Sequence, residues 1–214
     1  MTDRRDALIN QLVTDLPSGP KPLVLSKYLL GWLIVSAVFV VGITLYVAPL
    51  RPGVGQQLLN PRFALESIDG LLVVLLIAAI GFKFAIPAAN NKLFIGIGIG
   101  ITALWVLNYV IGLYYPTLEP SMAGKRDHCI YEIGIYAMLP LVLGLYLVKR
   151  GYVLNWPAAG LSIGLASGFI PALLMQFACI YDAEHTLLMH IGPALLVGVL
   201  GLVLGVLLKS VARH

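Results

Sequence analysis

Cysteine, histidine and carboxylate side chains take up protons, electrons and metal ions, and this chain gathers them in two short stretches. Cys179-Ile-Tyr-Asp-Ala-Glu-His185, running on to His190, holds one of the two cysteines, two of the four histidines and two of the ten acidic residues. Arg126-Asp127-His128-Cys129 holds the other cysteine and a third histidine, with Glu132 just beyond. Thiolate with imidazole suits zinc or another thiophilic metal. A thiol pair alone suits a disulfide or a dithiol that answers to an oxidant. Neither stretch has the spacing of a recognised metal motif, and there is no Cys-x-x-Cys. Three uses stay open: a structural disulfide or merely buried thiols, a redox- or metal-responsive pair, and a permanent metal site. The candidate residues are Cys129, Cys179, His128, Asp182, Glu184, His185, His190 and Glu132. His190 and Glu132 lie a few residues inside apolar runs, where ionisable groups turn inward and find partners. A Glu132–His190 contact is expected.

The elements that must position these residues are apolar. Of 214 residues 59% are hydrophobic and 11% charged, with a mean hydropathy of +0.92. A soluble domain is about half apolar and about a quarter charged, so the chain reads as an integral membrane protein. Six runs, at Tyr28–Val47, Ile68–Ile86, Leu93–Tyr114, Cys129–Val148, Ala158–Cys179 and Leu187–Leu208, each approximate the ~20 residues that cross a hydrocarbon core. In lipid the backbone must satisfy itself, which makes them helices. The fold class is therefore an all-α membrane protein with six transmembrane helices, residues 27–214, behind a tail of residues 1–26. The first run is too long, and lacks the small-residue cleavage site, for a signal peptide. With the tail inside, ten of the 14 Lys and Arg residues fall on the inner side, so both termini are expected in the cytoplasm.

That topology puts both chemical stretches on the outer side. Cys129 opens the fourth helix and Cys179 closes the fifth. They stand 24 residues before and 26 after Val153, the centre of the inner turn. The sulfurs then lie at similar depth on adjacent helices, and a bridge is open to them if the side chains face each other. Small residues at four-residue spacing, Gly96 and Gly100, Gly160, Gly164 and Gly168, Gly201 and Gly205, let helices approach closely within one bundle. A homo-oligomer formed through such a face is the alternative use.

The tail carries Leu8, Ile9, Leu12, Val13 and Leu16 on one stripe of a short amphipathic helix, ended by Pro17 and followed by a proline-rich linker. Such a stripe folds into a partner's groove or lies on a membrane surface; the absence of a polybasic patch disfavours the surface. No nucleophile motif, His-Glu-x-x-His or phosphate loop is present, and Gly96–Gly100 lies inside an apolar run. No enzyme activity, cofactor or direct nucleic-acid contact is expected. A small transporter or metal-uptake protein, with the Cys/His/Asp/Glu cluster as its outer binding point, is one alternative. A structural subunit of a larger membrane complex is another.

Several motifs in this order resemble the NrsF-type membrane anti-sigma factors of Gram-negative bacteria. They are Leu8-Ile9-x-x-Leu12-x-x-Asp15-Leu16 before the first helix, Leu50-Arg51-Pro52 after it, and Cys129 opening the fourth with Pro140 inside it. Lys149-Arg150-Gly151, Pro157-x-x-Gly160, Gly164-Leu165-Ala166-Ser167-Gly168, Cys179-x-x-Asp182 and His190-x-x-Pro193 follow. Tyr152-Val153 departs from the small residue and proline expected after Gly151. The resemblance implies a six-helix protein of the bacterial inner membrane that holds an extracytoplasmic-function sigma factor inactive until a stress signal arrives. It also implies that the cysteine pair belongs to sensing. The soluble zinc-type anti-sigma domain is absent, so the inhibitory contact would fall to the tail and to the inner loops, with the bilayer as the other partner.

Overall fold

The computed structural model describes residues 2–15, 25–87, 89, 91–119 and 121–211. These residues are helical throughout apart from turns and loops, and six helices are long and apolar enough to cross a membrane. A short helix, α1 (Thr2–Asp15), precedes them. The first span is α2 (Leu25–Val47). A single turn, α3 (Val54–Gln57), leads into α4 (Pro61–Lys83). Then come α5 (Lys92–Gly112), α6 (Cys129–Lys149) and α7 (Trp156–Ala178). The sixth span opens with α8 (Ala183–His185), passes through a π-helical turn (Thr186–Ile191) and continues as α9 (Gly192–Val211).

Local chemistry sets the starts. Asn60, Asn91 and Asn155 each accept a hydrogen bond from a backbone N–H of the first turn they cap, and Pro61 and Pro157 take first-turn positions whose N–H would be unpaired anyway. The second span begins seven residues before the expected Ile68. The reason is the Asn60-Pro61 cap, together with a buried home for Glu66. That carboxylate accepts from the hydroxyls of Thr117 and Tyr181. A charge that finds such donors does not end a span. The sixth likewise begins at Ala183, not Leu187, because Asp182 caps it through the His185 N–H.

The helix α7 is the most buried span and α5 the least. Along α7, Gly160, Gly164 and Gly168 press on the backbone of α9 at Gly201, Gly205, Val197 and Ala194. A Cβ on Gly164 would meet the Val197 carbonyl oxygen at 2.6 Å. These glycines therefore serve packing within one chain. The expectation for Gly96 and Gly100 is not met: both face open space, and it is Gly98 between them that packs, against Ile80. On α2, the buried Trp32 donates from Nε1 to the Pro140 carbonyl of α6 at 2.8 Å. Near the end where α2 starts, Tyr152 donates its N–H to the Ala85 carbonyl at 2.8 Å. The opposite, distal end carries the chemistry.

Of the stripe proposed for partner binding, Leu8, Ile9, Leu12 and Val13 fall on α1. Ile9 is exposed. The side chains of Leu8, Leu12 and Val13, and all of Leu16, lie outside the described residues, as does the linker Pro17–Pro22.

Candidate functional site

Two helix ends meet at the distal end of the bundle. Cys129 is the first residue of α6. Cys179 follows the last residue of α7, where its N–H still bonds the Met175 carbonyl at 2.8 Å but its φ of −109° and ψ of 179° turn the chain out of the helix. The equal depth expected of the pair holds, and the side chains do face each other. The Sγ atoms are 2.8 Å apart, both thiols are free, and both residues are buried. Cys129 also directs its thiol to the Arg126 carbonyl at 3.4 Å.

The histidines arrive from the sixth span. In an α-helix, residues five apart point about 140° away from each other. The π-helical turn inserts the extra residue that removes this offset. His185 and His190 consequently meet edge to face, with ring centroids 5.0 Å apart. His185 Nε2 lies 3.4 Å from Cys179 Sγ. His190 is 0% exposed, and neither of its ring nitrogens has a hydrogen-bond partner. One ligand atom from each of Cys129, Cys179, His185 and His190 lies within 4.8 Å of all the others. Two thiols and two imidazoles at such spacing could hold one tetrahedral, thiophilic cation.

Two arginines hold the unwound end of α7. A helix leaves its last carbonyls unpaired and its C-terminus partly negative, so cations settle there. Arg51 donates its backbone N–H to the Phe177 carbonyl and its Nη1 to the Cys179 carbonyl, each at 3.0 Å. Its Nη2 reaches Gln57, and its guanidinium lies over the rings of Phe63 and Tyr181. Arg126 donates from Nε to the Ala178 carbonyl at 3.2 Å and pairs with Glu132 at 2.9 Å. Its Nη2 donates to the end of α2, closest to the Ala48 carbonyl at 2.7 Å. Glu132 is thus taken by Arg126, and the expected contact with His190 is not made. The arginine is in direct reach of the carboxylate, whereas the imidazole is turned to the thiols.

The remaining candidates surround this centre without joining it. Asp182 spends a carboxylate oxygen on the His185 N–H at 2.8 Å, fixing the turn that carries the histidines. His128 is exposed and stacks loosely on Tyr131, at 6.3 Å. Glu184 is exposed and lines a cavity of about 450 Å³ with Asp182, His185, Lys125 and Met189, so the centre has an open approach on the His185 side. Burial lowers Arg51 from the usual guanidinium value, opposed by Tyr181 and Cys179. Burial first and Glu66 second raise Tyr181, which stays protonated and donates to Glu66. Sequence reasoning did not single out Arg51, Tyr181 or Glu66 for this end. The available signal was that three of the four cations on the side the charge bias leaves poor, Arg51, Arg62 and Arg126, are arginines.

A family model described as NrsF, negative regulator of sigma F, matches residues 12–209. No curated protein and no solved structure matches the chain significantly.

Proposed function

The chain belongs to the NrsF family of negative regulators of sigma F, and on that premise we propose that it is an inner-membrane anti-sigma factor governed by the Cys/His centre. The family is one of regulators, not enzymes, and its partner is a sigma factor. In this reading the partner is of the extracytoplasmic-function class. Both termini are cytoplasmic, the distal end faces the periplasm, and the sigma factor is held by the stripe Leu8, Ile9, Leu12, Val13 and Leu16. The uptake and structural-subunit alternatives have no family support.

The observation that carries the sensing half is the convergence of Cys129, Cys179, His185 and His190 within 4.8 Å, with the His190 nitrogens buried and unpaired. A buried imidazole without a partner costs stability, which a cation bound between it and the thiols would recover. The signal is then a thiophilic cation that enters beside His185 and is captured by the four residues. The sulfur separation of 2.8 Å favours a second reading. A two-electron oxidant would join the thiols in one S–S bond, releasing two protons. Either event biases a two-state bundle and loosens the tail's hold.

The test is a pull-down from native membranes with and without residues 1–26, and with Cys129→Ser plus Cys179→Ser. Full-length protein should retain a sigma factor that the truncated one loses. The double variant should retain it and no longer release it on inducing treatment. Retention by the truncated chain would remove the tail mechanism; normal release by the double variant would remove the cysteine mechanism.

A further inference from the structure

We infer that Arg126 is the positioning residue that couples the Cys/His centre to the first span, and so to the tail; the inference rests on the sensing role proposed above. Arg126 is 8% exposed and its charge meets one carboxylate, Glu132. Burying an arginine is costly, and a residue that only filled this space would be apolar. Its guanidinium instead bridges three elements. Nε holds the Ala178 carbonyl beside Cys179 at the end of α7. Nη1 holds Glu132 on the first turn of α6. Nη2 reaches the carbonyls of Thr44, Ala48 and Pro49, at 3.4, 2.7 and 3.3 Å, where α2 ends.

The same residue is wired to the chemistry through its backbone, because its carbonyl accepts from the Cys129 thiol at 3.4 Å. Capture of a cation replaces the Cys129 S–H bond by an S–metal bond and gives the proton to water. The Arg126 carbonyl then loses its donor, and the peptide that carries the guanidinium is released on that side. The element on the other side is suited to move. Among the spans only α5 is less buried than α2, and the Thr44 hydroxyl is buried without a partner. The helix α2 runs from this contact to Leu25, where the tail joins it. Arg51 also grips the α7 end, but its backbone accepts nothing from either thiol among the described contacts.

The test uses the full chain with its sigma factor in reconstituted membranes, with Co²⁺ as probe. Thiolate-to-cobalt absorption reports capture, and sigma factor lost from the membrane fraction reports response. Arg126→Gln, and the milder Arg126→Lys, which keeps the charge on Glu132 but cannot span all three elements, should hold the sigma factor and bind Co²⁺ as the unaltered chain does. Their release on Co²⁺ addition should fall about five-fold or more. Undiminished release by Arg126→Lys would overturn the inference while leaving the sensing role intact. Loss of Co²⁺ binding in Arg126→Lys would also overturn it, since the arginine would then only hold the centre together. Failure of the unaltered chain to bind Co²⁺ would remove the metal-sensing role and this inference with it.

Discussion

At the scale of single residues, His190 carries an unusual balance. It is wholly buried, and neither ring nitrogen is paired. An unsatisfied buried polar group costs roughly 1–3 kcal/mol, and leucine fills similar space without that cost. His190→Leu should therefore raise the thermal unfolding midpoint of the cation-free protein in detergent. It should also weaken Co²⁺ binding about ten-fold or more, since even residues behind a ligand matter that much. A lowered midpoint would mean that the imidazole already has a partner when no cation is present.

Among the elements, α7 and α9 make the closest glycine-lined contact found among the described residues. Their backbones touch through glycines, so the space for a methyl group does not exist there. Gly164→Ala should destabilise the bundle by about 1–3 kcal/mol, in the manner of an overpacked core, read as a lowered unfolding midpoint in detergent. Gly134→Ala, on an open face of α6 where an added Cβ meets nothing within 4 Å, is the matched control and should leave the midpoint unchanged or higher. Equal effects at both positions would mean that the two helices can separate freely. The π-helical turn is the other decisive element, because it alone gives His185 and His190 a common direction from one span.

At the scale of the whole molecule, the proposed reading separates output from scaffold. The described part of the tail is a helix of 14 residues, and a segment of that length cannot bury a core of its own. On the reading proposed above, its apolar stripe would gain from a partner what it cannot gain alone. Leu12→Asp should abolish repression in cells while leaving the unfolding midpoint of the purified bundle unchanged. A fully repressing Leu12→Asp protein would place the inhibitory contact elsewhere. The bundle in turn has a distal end whose two buried arginines are engaged with carbonyls. Both are bound at the end of α7, which explains why a side expected to be poor in Lys and Arg keeps them.

The six spans, the tail helix and the equal depth of the cysteines were legible in the sequence. Apolar run length must match a hydrocarbon core, and turn position then sets the register of a hairpin. The start at Pro61 was written in Asn60-Pro61, but Glu66 argued against it until Thr117 and Tyr181 came to meet the carboxylate from distant loops. Which way Cys129 and Cys179 point, that Glu132 belongs to Arg126 and not His190, and that Gly98 packs while Gly96 and Gly100 do not, were decided by tertiary structure. Each depends on the rotation of one helix against another, a quantity that nearly uniform apolar runs do not encode. The four-residue centre depends in addition on one π-helical turn, because widening a single turn redirects a side chain without leaving a mark in the composition of the span that carries it.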